Sequence, residues 1–145
     1  MMLKHAALSA AILCLMASPA LAANVTVSEP WFRALPAGLP AGGYFVLHNS
    51  GNKDIVLTGV SSPACGSAML HQSKNESGMQ HMLHVDKLTV RAHGKITFAP
   101  GGYHVMCMKP TDAMKPGRKV VVTFEFSDGT KAAVPFRVFG AKGRP

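Results

Sequence analysis

Apolar and polar positions alternate along most of this chain with a period of two, and no stretch after residue 22 sustains a 3.6-residue apolar repeat. The cleanest run is 119–127. Val120, Val122, Phe124 and Phe126 alternate there with Val121, Thr123 and Glu125, as in a strand with one face in a core. Turn formers divide the chain: Pro36-Ala37-Gly38, Asn49-Ser50-Gly51-Asn52, Ser77-Gly78, Pro116-Gly117 and Asp128-Gly129. Between them the pattern predicts strands over 25–33, 43–49, 54–61, 67–73, 79–85, 95–98, 103–108, 119–127 and 131–138. Asp128-Gly129, set between two alternating runs, predicts a tight hairpin. The expected fold is all-β, an antiparallel β-sandwich with Greek-key connections.

The first 22 residues break this pattern. Lys4 and His5 precede an apolar run over 6–16, and Ala20-Leu21-Ala22 forms an A-x-A site. That is the layout of a Sec-type signal peptide cleaved after Ala22, and its apolar run is too short to span a bilayer. A lipoprotein signal would need a small residue before Cys14, and Leu13 stands there. The expectation is a periplasmic protein with one domain over 23–145, ending in a short disordered basic tail from Gly140. No later stretch is long and apolar enough to span a membrane. The whole chain carries a formal charge of +8, and residues 1–22 hold one lysine and no acid, so +7 remains on the rest. Such a charge can steer a protein toward acidic partners. Export and the scatter of the basic residues argue against nucleic acid.

Enzyme signatures are absent. The chain has no phosphate-binding glycine loop, no Gly-x-Ser-x-Gly, no HExxH and no visible Ser-His-Asp grouping. What is concentrated is soft metal ligands. After Pro100-Gly101-Gly102 the sequence runs Tyr103-His104-Val105-Met106-Cys107-Met108. On a strand, His104, Met106 and Met108 share one face. Thioether sulfur suits Cu(I) far better than zinc, magnesium or calcium, although methionine also fills gaps in apolar cores. In 67–73, Ala68 and Leu70 look inward by parity and leave Met69 and His71 on the other face. In 79–85, Met79, His81, Leu83 and Val85 look inward, and Gln80, Met82 and His84 look outward. His71, Met82, His104 and Met106 are therefore expected on non-core faces at neighbouring strand ends.

These residues form H-x10-M-x21-H-x-M, which resembles the metal motif of the periplasmic copper chaperones called PCuAC. Glu29-Pro30-Trp31-Phe32-Arg33-Ala34, Ala41-Gly42-Gly43-Tyr44-Phe45, His48-Asn49-Ser50-Gly51 and Pro100-Gly101-Gly102-Tyr103-His104-Val105-Met106 are similar to that family as well. The resemblance extends over nearly all of 23–145. It implies a cupredoxin-like fold and one Cu(I) per chain, held by His71, Met82, His104 and Met106. It also implies delivery of copper to the CuA-bearing subunit of cytochrome c oxidase, alongside Sco-type thiol proteins, by a binding protein that is not an enzyme. The chain departs from the family at Gln80, where many members carry methionine, and at Cys65 and Cys107, where small and aliphatic residues are usual. Periplasmic copper storage or detoxification is the alternative reading, since it would use the same ligands. A copper redox enzyme would need an open cycling site, and a metal-free scaffold would use the methionines as a sticky surface.

The donor chemistry is consistent by itself. Two imidazoles and two thioethers are neutral, so bound Cu(I) keeps one charge and Cu(II) two, and apolar surroundings favour the smaller charge. A blue-copper centre would need a cysteine beside the histidine, and Cys107 has the wrong parity. Cys65 and Cys107 read as small core residues or as a buried pair, a disulfide being one alternative. Met69, His84 and Met108 have the parity of auxiliary ligands. His48 is expected as a hydrogen-bonded strand-end histidine, His81 and His93 as structural or exposed, Trp31 as core, and Met114 as loop or core.

Overall fold

Among the described residues, ten strands form between the turn formers: β1 (Val25–Arg33), β2 (Ala41–Asn49), β3 (Ile55–Ser61), β4 (Cys65–Glu76), β5 (Met79–His84), β6 (Leu88–Val90), β7 (Lys95–Phe98), β8 (Tyr103–Pro110), β9 (Lys119–Phe126) and β10 (Lys131–Phe139). This computed structural model describes residues 21–22 and 24–145. The expected signal peptide lies almost wholly outside the described residues, as do Cys14 and Ala23. Of its span only Leu21 and Ala22 are described, bridged to Lys131. Among the described residues, two elements were not predicted: β6, three residues long and too short for alternation to reveal, and a single 3-10 turn at the turn former Pro36–Gly38.

The strands pair in the order β5-β4-β8-β7-β2-β1-β10-β9-β3-β6, with β8 also pairing β2. All pairs are antiparallel except β1–β10 and β7–β8. This ribbon folds over itself, and β3 comes to lie against β4 without pairing to it. Side chains from both halves meet in the fold. Phe45 of β2 stacks on Phe98 of β7 at 4.1 Å between ring centroids, and touches Phe124 of β9 at 4.9 Å and Phe136 of β10 at 5.5 Å. Aromatic pairs of this kind add about 0.5–1.5 kcal/mol each beyond the area they bury. Val120, Val122, Phe124 and Phe126 are all buried, while Val121 between them is exposed, as the alternation requires. The Asp128-Gly129 hairpin forms as expected, with Gly129 at a φ of 83°. The architecture is the all-β, cupredoxin-like one that the sequence indicated.

Three local features differ from expectation. Met79, His81 and Leu83 of β5 are exposed although parity aims them inward. β5 is an edge strand of the sheet, and all six of its residues are exposed, so neither of its faces reaches the core. Trp31 is half-buried, packed on Tyr44 and Phe139. The tail turns back toward β1, where Arg144 Nη2 donates to Glu29 Oε2 at 3.4 Å. Among the described residues no helix is long and apolar enough to cross a membrane.

Candidate metal centre

Two turns set the geometry of the candidate ligands. The first is Ala99-Pro100-Gly101-Gly102, closed by Gly102 N–H donating to Ala99 O at 3.0 Å. Proline suits its second position, and Gly101 takes a φ of 85° at the third, where a side chain would be strained. Gly102 O then accepts from Ser73 N–H at 3.0 Å, docking β8 on β4. The same oxygen lies 3.1 Å from His104 Nδ1. A carbonyl can only accept, so Nδ1 carries the proton and Nε2 presents a bare lone pair. Fixing a ligand imidazole through its other nitrogen is the usual outer support of a metal site.

The second turn is Ser77-Gly78, with φ of 53° and 80°, the two left-handed residues of a tight hairpin. It pairs Glu76 with Met79, and so brings His71 opposite His84 and Ser73 opposite Met82. On its other side β4 pairs with β8, placing His71 opposite His104 and Met69 opposite Met106. One row across three strands is thus His84, His71, His104. The ring centroids are 5.8 Å apart for His71–His84 and 5.7 Å for His71–His104. Two imidazoles sharing an ion at about 2.0–2.1 Å from each nitrogen have centroids roughly 5–6 Å apart. The second spacing therefore matches a shared ion for the expected pair.

Around this row stand the thioethers. Met82, His104 and Met106 line one open cleft of about 310 Å3, together with Ser73, Gln80, Arg33 and Tyr44. Arg33 Nη2 donates to Tyr44 Oη at 3.1 Å, which holds the guanidinium on the far wall. His104 is 5% exposed and Met82 is 54% exposed. The site thus has a buried imidazole at its base and a free thioether at its lip. His71 Nδ1 is shielded from solvent and has no hydrogen-bond partner. A buried nitrogen without a partner is costly, and a metal ion is one group that would satisfy it. The donor set fits a soft monovalent ion.

Burial lowers the His71 pKa, with further lowering by the His104 and then the His84 imidazole charges. The neutral, ligating form of His71 therefore persists below the ordinary imidazole value of about 6.5. The unfolded chain takes up that proton more readily than the folded one, so acid favours unfolding as pH falls below that value. Copper binding is expected to weaken between pH 7 and pH 5, with the His71 share of the loss confined to the acid end. Thioethers do not titrate, so an affinity flat across that range would remove the imidazoles from the ligand set.

The structure brings His71, Met82, His104 and Met106 onto one face of β5, β4 and β8, as their parity indicated. Met69, His84 and Met108 share that face. His84 Nε2 sits 3.1 Å from Asp86 Oδ1, a contact that sequence reasoning did not foresee. Cys65 and Cys107 form a disulfide with Cα atoms 5.3 Å apart, on the core face of the two strands that hold His71, His104 and Met106. His48 Nε2 is 3.0 Å from Ser28 Oγ, and His81 and His93 are exposed. Met114 is buried.

The sequence model of the LpqE-like family, named as a lipoprotein family, matches residues 25–138. The chain belongs to the LpqE-like family. A relative of this LpqE-like chain, Lxx21020 of Leifsonia xyli subsp. xyli, a lipoprotein by name, is 31% identical over 119 residues, covering 80% of this chain and 71% of its own. Among solved structures, apo-DR1885 of Deinococcus radiodurans is 29% identical, covers 99% of this chain and 98% of its own, and gives a TM-score of 0.64. The copper-bound PCuAC domain of PmoF2 shares the fold at 22% identity and a TM-score of 0.68, covering 86% of this chain and 99% of its own. The PCuAC resemblance read from the LpqE-like sequence agrees with these likenesses.

Proposed function

We propose that residues 23–145 form one periplasmic copper-binding domain that carries Cu(I) to an acceptor. One ion sits between His71 and His104, with Met82 and Met106 completing a neutral N2S2 set. The observation that carries this reading is the pairing of His71 opposite His104 beside a cleft that holds both thioethers. DR1885, the 29%-identical relative in fold, is known in a Cu(I) form, which supports the choice of ion. Neutral donors in a half-buried site favour the less charged oxidation state. Thioethers bind more weakly than thiolates, which suits a cargo that must leave. Methionine also forms no disulfides, although it can be lost to sulfoxide.

The exposed Met82 offers an edge by which a partner's ligands enter one at a time. The acceptor of this reading is the CuA-bearing subunit of cytochrome c oxidase or a Sco-type thiol protein, whose thiolates draw the ion forward. The surplus positive charge aids encounter with an acidic acceptor over about 8–10 Å at physiological salt. Storage or detoxification in the periplasm would use the same ligands without the handover. Mixing Cu(I)-loaded protein with a reduced apo CuA domain, followed by NMR, separates the two. Copper is expected to appear on the CuA domain; copper that stays with the carrier would overturn delivery and favour storage.

A further inference from the structure

His84 stands in the imidazole row but outside the four-ligand set. Its ring is as close to His71 as that of His104 is. Its Nε2 meets the Asp86 carboxylate at 3.1 Å, which leaves Nδ1 as the nitrogen with a free lone pair. A carboxylate on the outer nitrogen is a common support for a metal-bound imidazole. Met69, His84 and Asp86 line a hollow of about 160 Å3 on the side of β4 next to β3, distinct from the cleft that holds Met82, His104 and Met106. His71 stands between His84 and His104 in the row, with its Nδ1 unpartnered.

We propose that His84 is a third nitrogen ligand, recruited through His71 when the ion is Cu(II). This rests on the copper-binding reading above and extends it to a second oxidation state. The reason is donor preference. Cu(II) prefers nitrogen and oxygen donors in a tetragonal arrangement, and thioethers serve it poorly. The row His84, His71, His104 supplies three imidazoles, and Asp86 adds a carboxylate beside them. Among the described residues no three such groups already converge on one point, so His84 must swing inward. There is room for this, because β5 is an edge strand and His84 is exposed on it, in contact with the His71 ring and the Asp86 carboxylate. Cu(I) gains little from the move, since its four soft and borderline ligands are already in place.

The test compares the full chain with His84→Gln and with His81→Gln, which alters the other face of the same strand. Each protein is titrated with Cu(II), followed by EPR and by competition with a Cu(II) chelator, and separately with Cu(I) against a Cu(I) chelator. H84Q is expected to lose Cu(II) affinity by roughly tenfold or more and to show fewer nitrogen couplings, while its Cu(I) affinity stays within about twofold. H81Q is expected to match wild type in both. Unchanged Cu(II) affinity and spectrum in H84Q, or an equal loss in H81Q, would overturn the proposal. Failure of the wild-type protein to bind Cu(I) would instead sink the carrier reading, and the Cu(II) comparison would still be read on its own.

Discussion

Replacing Cys65 and Cys107 together by alanine is expected to destabilise the protein by about 4 kcal/mol. The bridge closes a loop with a sequence separation of 42, and loop-closure entropy for that length gives roughly this value on the chain-entropy account. Cys107 is fully buried, so the alanine variant also loses packing. With a urea slope of about 1.5 kcal/mol per molar, the unfolding midpoint should fall by roughly 2–3 M. The bridge lies under β4 and β8, at the end away from the Gly102 turn. Those strands carry His71, His104 and Met106, so the loss should also loosen the site. Matching urea midpoints for the variant and the oxidised wild type would show that the bridge holds nothing the sheet does not already hold.

The second large effect concerns the sulfurs. Met82→Leu with Met106→Leu keeps side-chain volume nearly constant, and neither position is buried, so the fold should survive. Cu(I) affinity is expected to fall at least a hundredfold, about 2.8 kcal/mol. Zinc binding should be weak before the change and no weaker after it, because zinc seldom accepts thioethers and has only imidazoles here. Tight stoichiometric zinc in the double variant at neutral pH would mean that the site is a nitrogen site and that the sulfurs are bystanders.

Much of this arrangement can be read from the residues, for identifiable reasons. Strand positions follow from alternation between strong turn formers, so all nine predicted runs form strands, 25–33 and 95–98 within their predicted bounds and the other seven with only their ends moved. The metal face follows from parity, because a strand fixes which neighbours share a side. His71, Met82, His104 and Met106 could therefore be placed on one face before any pairing was known. Parity fails at β5, because it says which side a residue takes and not whether anything lies there. The register of β4 against β8 links residues far apart in sequence, and no local signal gives it. The His71–His84 pairing was within reach: a two-residue Ser77-Gly78 turn fixes Glu76 opposite Met79, and counting back gives the pair. The hold of Gly102 on His104 and the orphaned His71 nitrogen are tertiary facts that only the folded chain displays.

The most direct test is a Cu(I) titration of the protein against a competing chelator, run beside His71→Ala, Met82→Ala, His104→Ala and Met106→Ala. One Cu(I) per chain is predicted for wild type, with each alanine at His104 or Met106 weakening binding at least tenfold, about 1.4 kcal/mol. Wild-type affinity retained in all four variants, or no Cu(I) bound by the wild-type chain, would contradict the site.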